Sequence, residues 1–266
     1  MLGCASSSWA TSLGRICMPE IVANSVLPAR REPITLSTSD GLALVGELAL
    51  PAHGEPTATI VCCHPLPTAG GFMDSHVLRK MAWRLPALAN IAVLRFNTRG
   101  TTSARGTSEG SFDEGNAEGL DLAAALEFVQ ERGLPVPWVL GWSFGTDVIL
   151  KHAINGQTSQ GLRGAILLSP PLRFSEVSDL DRWATSQLPL TALIPENDDY
   201  LQPPEATQRF ARIPQAEVIG VPGAGHLWVG EKAVRVVLNA IVARVAPEFV
   251  PLPLEWNGPM ERWSDI

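Results

Sequence analysis

Little in this sequence serves covalent cross-linking, charge-driven contact or membrane insertion. Only four cysteines occur in 266 residues. Cys4 and Cys17 lie near the N-terminus and Cys62 and Cys63 are adjacent, so there is no CxxC pair and no disulfide framework; a reducing, cytoplasmic setting is expected. Charge is sparse too: Asp, Glu, Lys and Arg make up 18%, and 20 basic against 27 acidic residues give a net charge of −7. Such a balance lacks the basic footprint that nucleic acid requires. No apolar run approaches the ~20 residues that cross a bilayer. Histidine occupies five positions. None has metal-ligand spacing and no phosphate-cradling glycine loop follows the first strand, so neither metal nor organic cofactor is expected.

What is abundant is apolar: 45% of the residues are hydrophobic, enough for a sizeable core. Residues 32–38 and 42–50 flank Ser39-Asp40-Gly41 and read as an antiparallel hairpin. Six short, nearly all-apolar runs follow, at 57–63, 91–97, 137–142, 164–169, 190–195 and 216–221, the pattern of strands buried on both faces. Helical spacing fills the gaps at 73–85 (closed by Pro86), 116–133, 145–154, 204–213 and 231–245, with a shorter helical piece at 179–186. Alternation of this kind predicts an α/β fold with a mostly parallel, doubly wound sheet. Residues 1–31, which lack a charged or apolar signal region, are expected to form a flexible extension, with Met18 a second candidate start. Residues 32–246 form the expected domain, and the Pro- and Trp-rich tail 247–266 is expected to dock on it.

One stretch interrupts the strand–helix rhythm. In "VLGWSFGTDVILKHA" an apolar run breaks into Gly141-Trp142-Ser143-Phe144-Gly145 before a helix begins. A serine framed by glycines at a strand-to-helix turn matches a nucleophile elbow, with the next residue's backbone N–H, here Phe144, as an oxyanion donor. Serine needs a base. His53, His64 and His76 precede the serine and His152 follows it on the same helix, which leaves His226, between the last strand and the last helix. An acid to orient that imidazole belongs after the strand at 190–195, where Asp198 is the first choice and Asp199 the reserve. Asp179 and Asp181 fall in the helical connector. A second oxyanion donor is expected from the loop after the third strand, "CCHPLPTAGGFMDSH", in which His64 reads as an organiser of the loop. Arg99 reads as a brace for the loop after the fourth strand.

Taken together, "HPLPTAGGFMD", "FNTRG…SEGSFDEG", "GWSFG" and the "ENDD"/"GAGH" pair resemble the α/β-hydrolase superfamily over residues 32–246. Within it the chain is similar to small, lidless bacterial hydrolases with a His-Pro loop and an NxRG strand end. The resemblance implies a triad of Ser143, Asp198 and His226, with Leu66 giving the second oxyanion N–H. It departs from the group in carrying Leu66 where a histidine is common, and in a longer "RGTTSARGTSEG" segment. The implied partner is a small-molecule acyl substrate, with no cofactor. Leu66, Phe72, Trp142, Phe144, Pro170, Tyr200, Leu227 and Trp228 fall on loops expected to rim the site, and Phe72, Trp142, Tyr200, Leu227 and Trp228 are the candidate substrate contacts. Such a wall favours a small to medium apolar acyl group on an ester or thioester. Amide cleavage, peroxide chemistry on the same triad and a silent binding scaffold remain alternatives at this point.

Overall fold

The computed structural model describes residues 18–155 and 161–263. Ten strands and six α-helices are described, in the order β1 (Ala29–Ser37), β2 (Ala43–Pro51), β3 (Ala58–Cys63), α1 (His76–Ala89), β4 (Ile91–Phe96), β5 (Thr102–Ser103), β6 (Gly106–Thr107), α2 (Glu118–Glu131), β7 (Pro137–Trp142), α3 (Phe144–His152), β8 (Gly164–Leu168), α4 (Val177–Ser186), β9 (Leu190–Asn197), α5 (Pro203–Phe210), β10 (Ala216–Gly225) and α6 (Glu231–Val245). Eight of the strands form one sheet in the order β1-β2-β4-β3-β7-β8-β9-β10. β1, β2 and β4 pair antiparallel, and every other pair in that sheet is parallel.

Each buried strand feeds two cores by simple alternation. In β3, Ile60 and Cys62 enter one apolar cluster while Val61 and Cys63 enter the other. α1 and α6 cover the first face through residues such as Leu78, Met81, Val237 and Ile241. α2, α3, α4 and α5 cover the second, with Val129, Val148, Trp183 and Phe210 among the contacts. This is why the strands read as continuous apolar runs rather than alternating ones. No separate lid domain is present among the described residues, since only the short connector with α4 separates β8 from β9.

Two expectations need correction. Pro86 does not end α1, which continues to Ala89. An internal proline costs a hydrogen bond and crowds the preceding turn, but Leu85, Leu88 and Ala89 are all buried and hold the extra turn in place. The stop comes at Asn90, whose left-handed backbone (φ 53°) lets its N–H reach the Leu85 carbonyl. The second correction concerns residues 18–31, taken as part of a flexible extension. Ile21, Val26 and Leu27 are buried, and this segment runs antiparallel to the C-terminal tail through bridges at Glu20–Glu255 and Val26–Glu261. Lacking periodicity, the segment looks like a leader, yet its few apolar side chains cover the α1 and α6 face. Residues 1–17 lie outside the described residues. The long segment after β4 holds the β5–β6 hairpin, and Glu109 and Ser108 stitch its return to the Ala43 and Val45 backbone of β2.

Candidate active site

The elbow is shaped by contacts that exclude a side chain at both of its glycines. A Cβ at 145 would stand 2.2 Å from the Cys63 carbonyl oxygen, and one at 141 would stand 2.5 Å from the Gly145 backbone. β7 therefore turns into α3 directly against the end of β3, which brings the loop after β3 alongside. Ser143, between them, has φ 52° and ψ −119°, a conformation that L-residues rarely adopt. Its N–H donates to the Leu168 carbonyl at 2.9 Å, and its carbonyl accepts from the Thr146 N–H and hydroxyl. The backbone is thus held on both sides, while the side chain projects where β7 ends.

His226 and Asp198 arrive together because of the β9–β10 register. A shift between Val221 and Gly225 pairs Gly225 with Asn197, so the next residue of each strand, His226 and Asp198, leaves the sheet beside the other. Asp198 accepts from His226 Nδ1–H at 2.9 Å, and His226 Nε2 lies 2.8 Å from Ser143 Oγ. A carboxylate on Nδ1 fixes the proton there and leaves the Nε2 lone pair toward the serine hydroxyl. The Asp198 carboxylate also accepts from the Tyr200 N–H at 2.8 Å, and it is 3% exposed. The other acids nearby are engaged elsewhere. Asp199 is exposed, Glu196 accepts from the Gly223 N–H, Asp179 caps α4 and Asp181 pairs with Arg212.

The main chain around His226 is clamped by groups that sequence reasoning missed or misassigned. Ser169 Oγ–H and the Trp142 indole N–H both donate to the His226 carbonyl, at 3.0 and 3.2 Å. His76 Nε2–H donates to the Leu227 carbonyl at 2.6 Å, and its ring packs edge-on against Trp142. Trp142 and Trp228, expected as substrate contacts, are 2% and 0% exposed and belong to the core under α1 and α6. Trp142 closes the interior strand β7 and Trp228 follows β10, and both large indoles are drawn into that core, so neither meets solvent. Tyr200 and Leu227 are exposed, and the Tyr200 ring centroid lies 4.7 Å from that of His226. Phe72 is half-buried at the approach to α1.

The opposite flank is aromatic. Phe144 meets Phe112 and Phe174 edge-on, at centroid distances of 5.3 and 5.6 Å, and Leu66 and Leu172 pack against the large apolar core to which Phe144 belongs. Phe112 and Phe174 were not singled out in the sequence, because nothing in their spacing links them to residue 144. The buried Asp147 carboxylate on α3 holds the loop bearing Phe174 by accepting from the Ser175 N–H and hydroxyl, and burial raises its pKa. Among the described residues, the backbone N–H groups of Leu66 and Phe144 have no acceptor. Leu66 lies in a one-turn curl closed by Gly71, where a Cβ would meet the Pro65 carbonyl oxygen at 2.1 Å.

His64 is wholly buried. It donates from Nδ1 to the Pro65 carbonyl (2.6 Å) and accepts at Nε2 from the Thr98 N–H (3.1 Å), tying the loops after β3 and β4 together. Burial pushes its pKa down to about 4. Arg99 joins Asp121 and Asp40, bracing the loop after β4. His152 is partly buried against Gly119 with Nε2 at the Gly115 carbonyl, and His53 is exposed. Among the described residues, no group of three or more His, Cys, Asp or Glu side chains is placed to hold a metal ion.

No protein-family model matches the chain. An uncharacterized protein of Rickettsia prowazekii, RP471, is 29% identical over 146 residues, which span 54% of this chain and 58% of that protein. Solved structures match over more of the length. A lidless α/β serine hydrolase from Xanthomonas campestris, XC6422, is 26% identical with a TM-score of 0.66, covering 86% of this chain and all of that one (100%). An α/β serine hydrolase homologue from Coxiella burnetii is 23% identical (TM-score 0.64; 80% and 96% covered), and the Pyrococcus furiosus esterase Pf2001 is 18% identical (0.64; 88% and 98%). The chain has the α/β-hydrolase fold in its lidless form and is of that superfamily. The likeness to XC6422, a serine hydrolase, supports a hydrolase role. Among the described residues, no helix is long and apolar enough to cross a membrane.

Proposed function

We propose that this chain is a serine hydrolase that cleaves carboxylic esters or thioesters of small to medium apolar acyl groups through an acyl-enzyme. The observation that carries this reading is the hydrogen-bonded line from Asp198 through His226 to Ser143 at a strained elbow. His226 Nε2 accepts the Ser143 proton as Oγ attacks the acyl carbonyl, and Asp198 stabilises the imidazolium that forms. The backbone N–H groups of Leu66 and Phe144 serve the oxyanion, each worth on the order of 10²–10³ in rate. His226 then gives its proton to the leaving alcohol or thiol. Water, deprotonated by the same imidazole, releases the acid and restores the serine.

The acyl group lies along Leu66, Phe112 and Phe174, with the buried Phe144 ring backing them, and the leaving group passes Tyr200 and Leu227. An aromatic wall of this kind favours apolar acyl chains, and the open approach suits small and medium ones. The two described cysteines, Cys62 and Cys63, are free and buried, in keeping with the proposed cytoplasmic setting.

The test is hydrolysis of nitrophenyl esters from acetyl to palmitoyl by the wild type and by Ser143→Ala. Turnover that peaks at short to medium chains and disappears in the variant is the expected result. Turnover that persists in the variant, or none at any length by folded wild type, would remove the proposal.

A further inference from the structure

A cavity distinct from the Ser143 site lies between α1 and the start of α6. Its volume is about 540 Å³ and its lining includes His76, Arg79, Lys80, Trp83, Val229 and Trp263, with none of Ser143, Asp198 or His226. That size falls within the ~300–1,000 Å³ typical of small-molecule sites.

The cations lining it differ in what they already hold. Lys80 pairs with Glu231 at 3.2 Å, and the nearby Arg84 takes the same carboxylate at 2.6 Å. His76 is engaged with the Leu227 carbonyl. Arg79 stands apart: among the described residues its guanidinium has no carboxylate or hydrogen-bond partner, and its buried Nε is unsatisfied. The guanidinium carbon sits 4.8 Å from the centroid of the Trp83 ring. A guanidinium seated on an aromatic face stays charged and keeps its planar fork pre-organised for an oxyanion. The exposed Val229 and Trp263 add apolar wall to the same space.

We propose that this cavity binds a small amphiphile with one anionic head, a carboxylate or phosphate monoester, on a short apolar chain. The head is held by the Arg79 fork, and the chain runs along Trp83, Val229 and Trp263. Neither half suffices alone, because a bare anion forgoes the apolar wall and a neutral chain leaves the guanidinium unpaired. The inference does not depend on the chemistry assigned to Ser143.

The experiment is a titration of the full-length protein with octanoate, octyl phosphate and 1-octanol, followed through the indole NH signals of Trp83 and Trp263 by NMR. Saturable shifts are expected with the two anions and not with octanol, and the tighter anion identifies the head group. Arg79→Gln should weaken that binding about tenfold or more, with Arg79→Lys intermediate as a charge-retaining control of fold. Ser143→Ala should bind as the wild type does. Equal shifts with octanol, an unchanged Kd in Arg79→Gln, binding lost in Ser143→Ala, or no shift with any probe at millimolar concentration would each overturn the proposal.

Discussion

His64 and His226 both lie just past the C-terminal ends of strands, on loops at the same edge of the sheet, yet they differ in what their ring nitrogens meet. In His64, Nδ1 faces the Pro65 carbonyl, and Nε2 accepts from the Thr98 N–H with the Thr98 hydroxyl also at 3.1 Å. His226 meets a carboxylate at Nδ1 and a serine hydroxyl at Nε2, with 11% of its side chain exposed. An imidazole whose acceptor lone pair is already occupied by an amide cannot take a substrate's or serine's proton without breaking that bond. One whose lone pair faces a hydroxyl with no amide competing for it, as His226 faces Ser143, can. The difference teaches that the second partner of the ring, more than the residue type or its place after a strand, separates a structural histidine from a candidate base.

The largest expected effect removes one side of that contrast. His226→Ala should lower kcat for a nitrophenyl ester by about 10⁴-fold or more with little change in Tm, whereas His64→Gln should leave a folded enzyme with measurable turnover. Steady-state kinetics beside thermal melts check the pair, and equal losses of activity would erase the distinction. Next come the acids. Asp198→Asn should cost about 10³–10⁴ in kcat because the amide supports the wrong tautomer, while Asp199→Asn should change it less than about twofold. A reversal would exchange their roles.

A third prediction concerns pH. The folded pKa of His64, about 4, lies below the usual 6.5. Between those values the unfolded chain binds a proton that the native state refuses. The neutral ring's contribution is therefore whole above pH 6.5 and falls as pH drops toward 4, by up to about 3 kcal/mol. Urea melts from pH 7 to 4.5 should show this slope, and His64→Gln should flatten it; an unchanged slope would mean that the ring is protonated in the native fold. The smallest effect belongs to the clamp on the His226 carbonyl. Ser169→Ala removes one of its two donors and should cost about 1 kcal/mol of stability and a few-fold in kcat. Denaturation and kinetics on that variant check whether the loop needs both.

Much of the architecture was readable because it repeats in the chain. Apolar runs buried on both faces announced the parallel strands, and α6 begins and ends where helical spacing placed it. The elbow was readable for a different reason: its two glycines mark close approaches, of the turn to itself at Gly141 and of β3 to the turn at Gly145. What failed depended on distant packing. Trp142 and Trp228 looked like pocket residues because they sit on the right loops, but the core beneath α1 and α6 takes both rings. Phe112 and Phe174 were overlooked because only the folded loops bring them to Phe144. Ile21 and Leu27 gave no periodic signal, since they join the core beneath α1 and α6 as isolated side chains.

By itself, then, the sequence determined the alternation of strand and helix, the strained turn at Ser143, and which histidine and acidic cluster follow it in order. These are local matters, set by side-chain period, by glycine and by chain order. Only the tertiary structure decided that Asp198 rather than Asp199 meets His226, that Ser169 and Trp142 hold the His226 carbonyl, and that Arg79 is left without a partner among the described residues. Those outcomes rest on strand register and on competition for burial and hydrogen bonds between segments far apart in the chain.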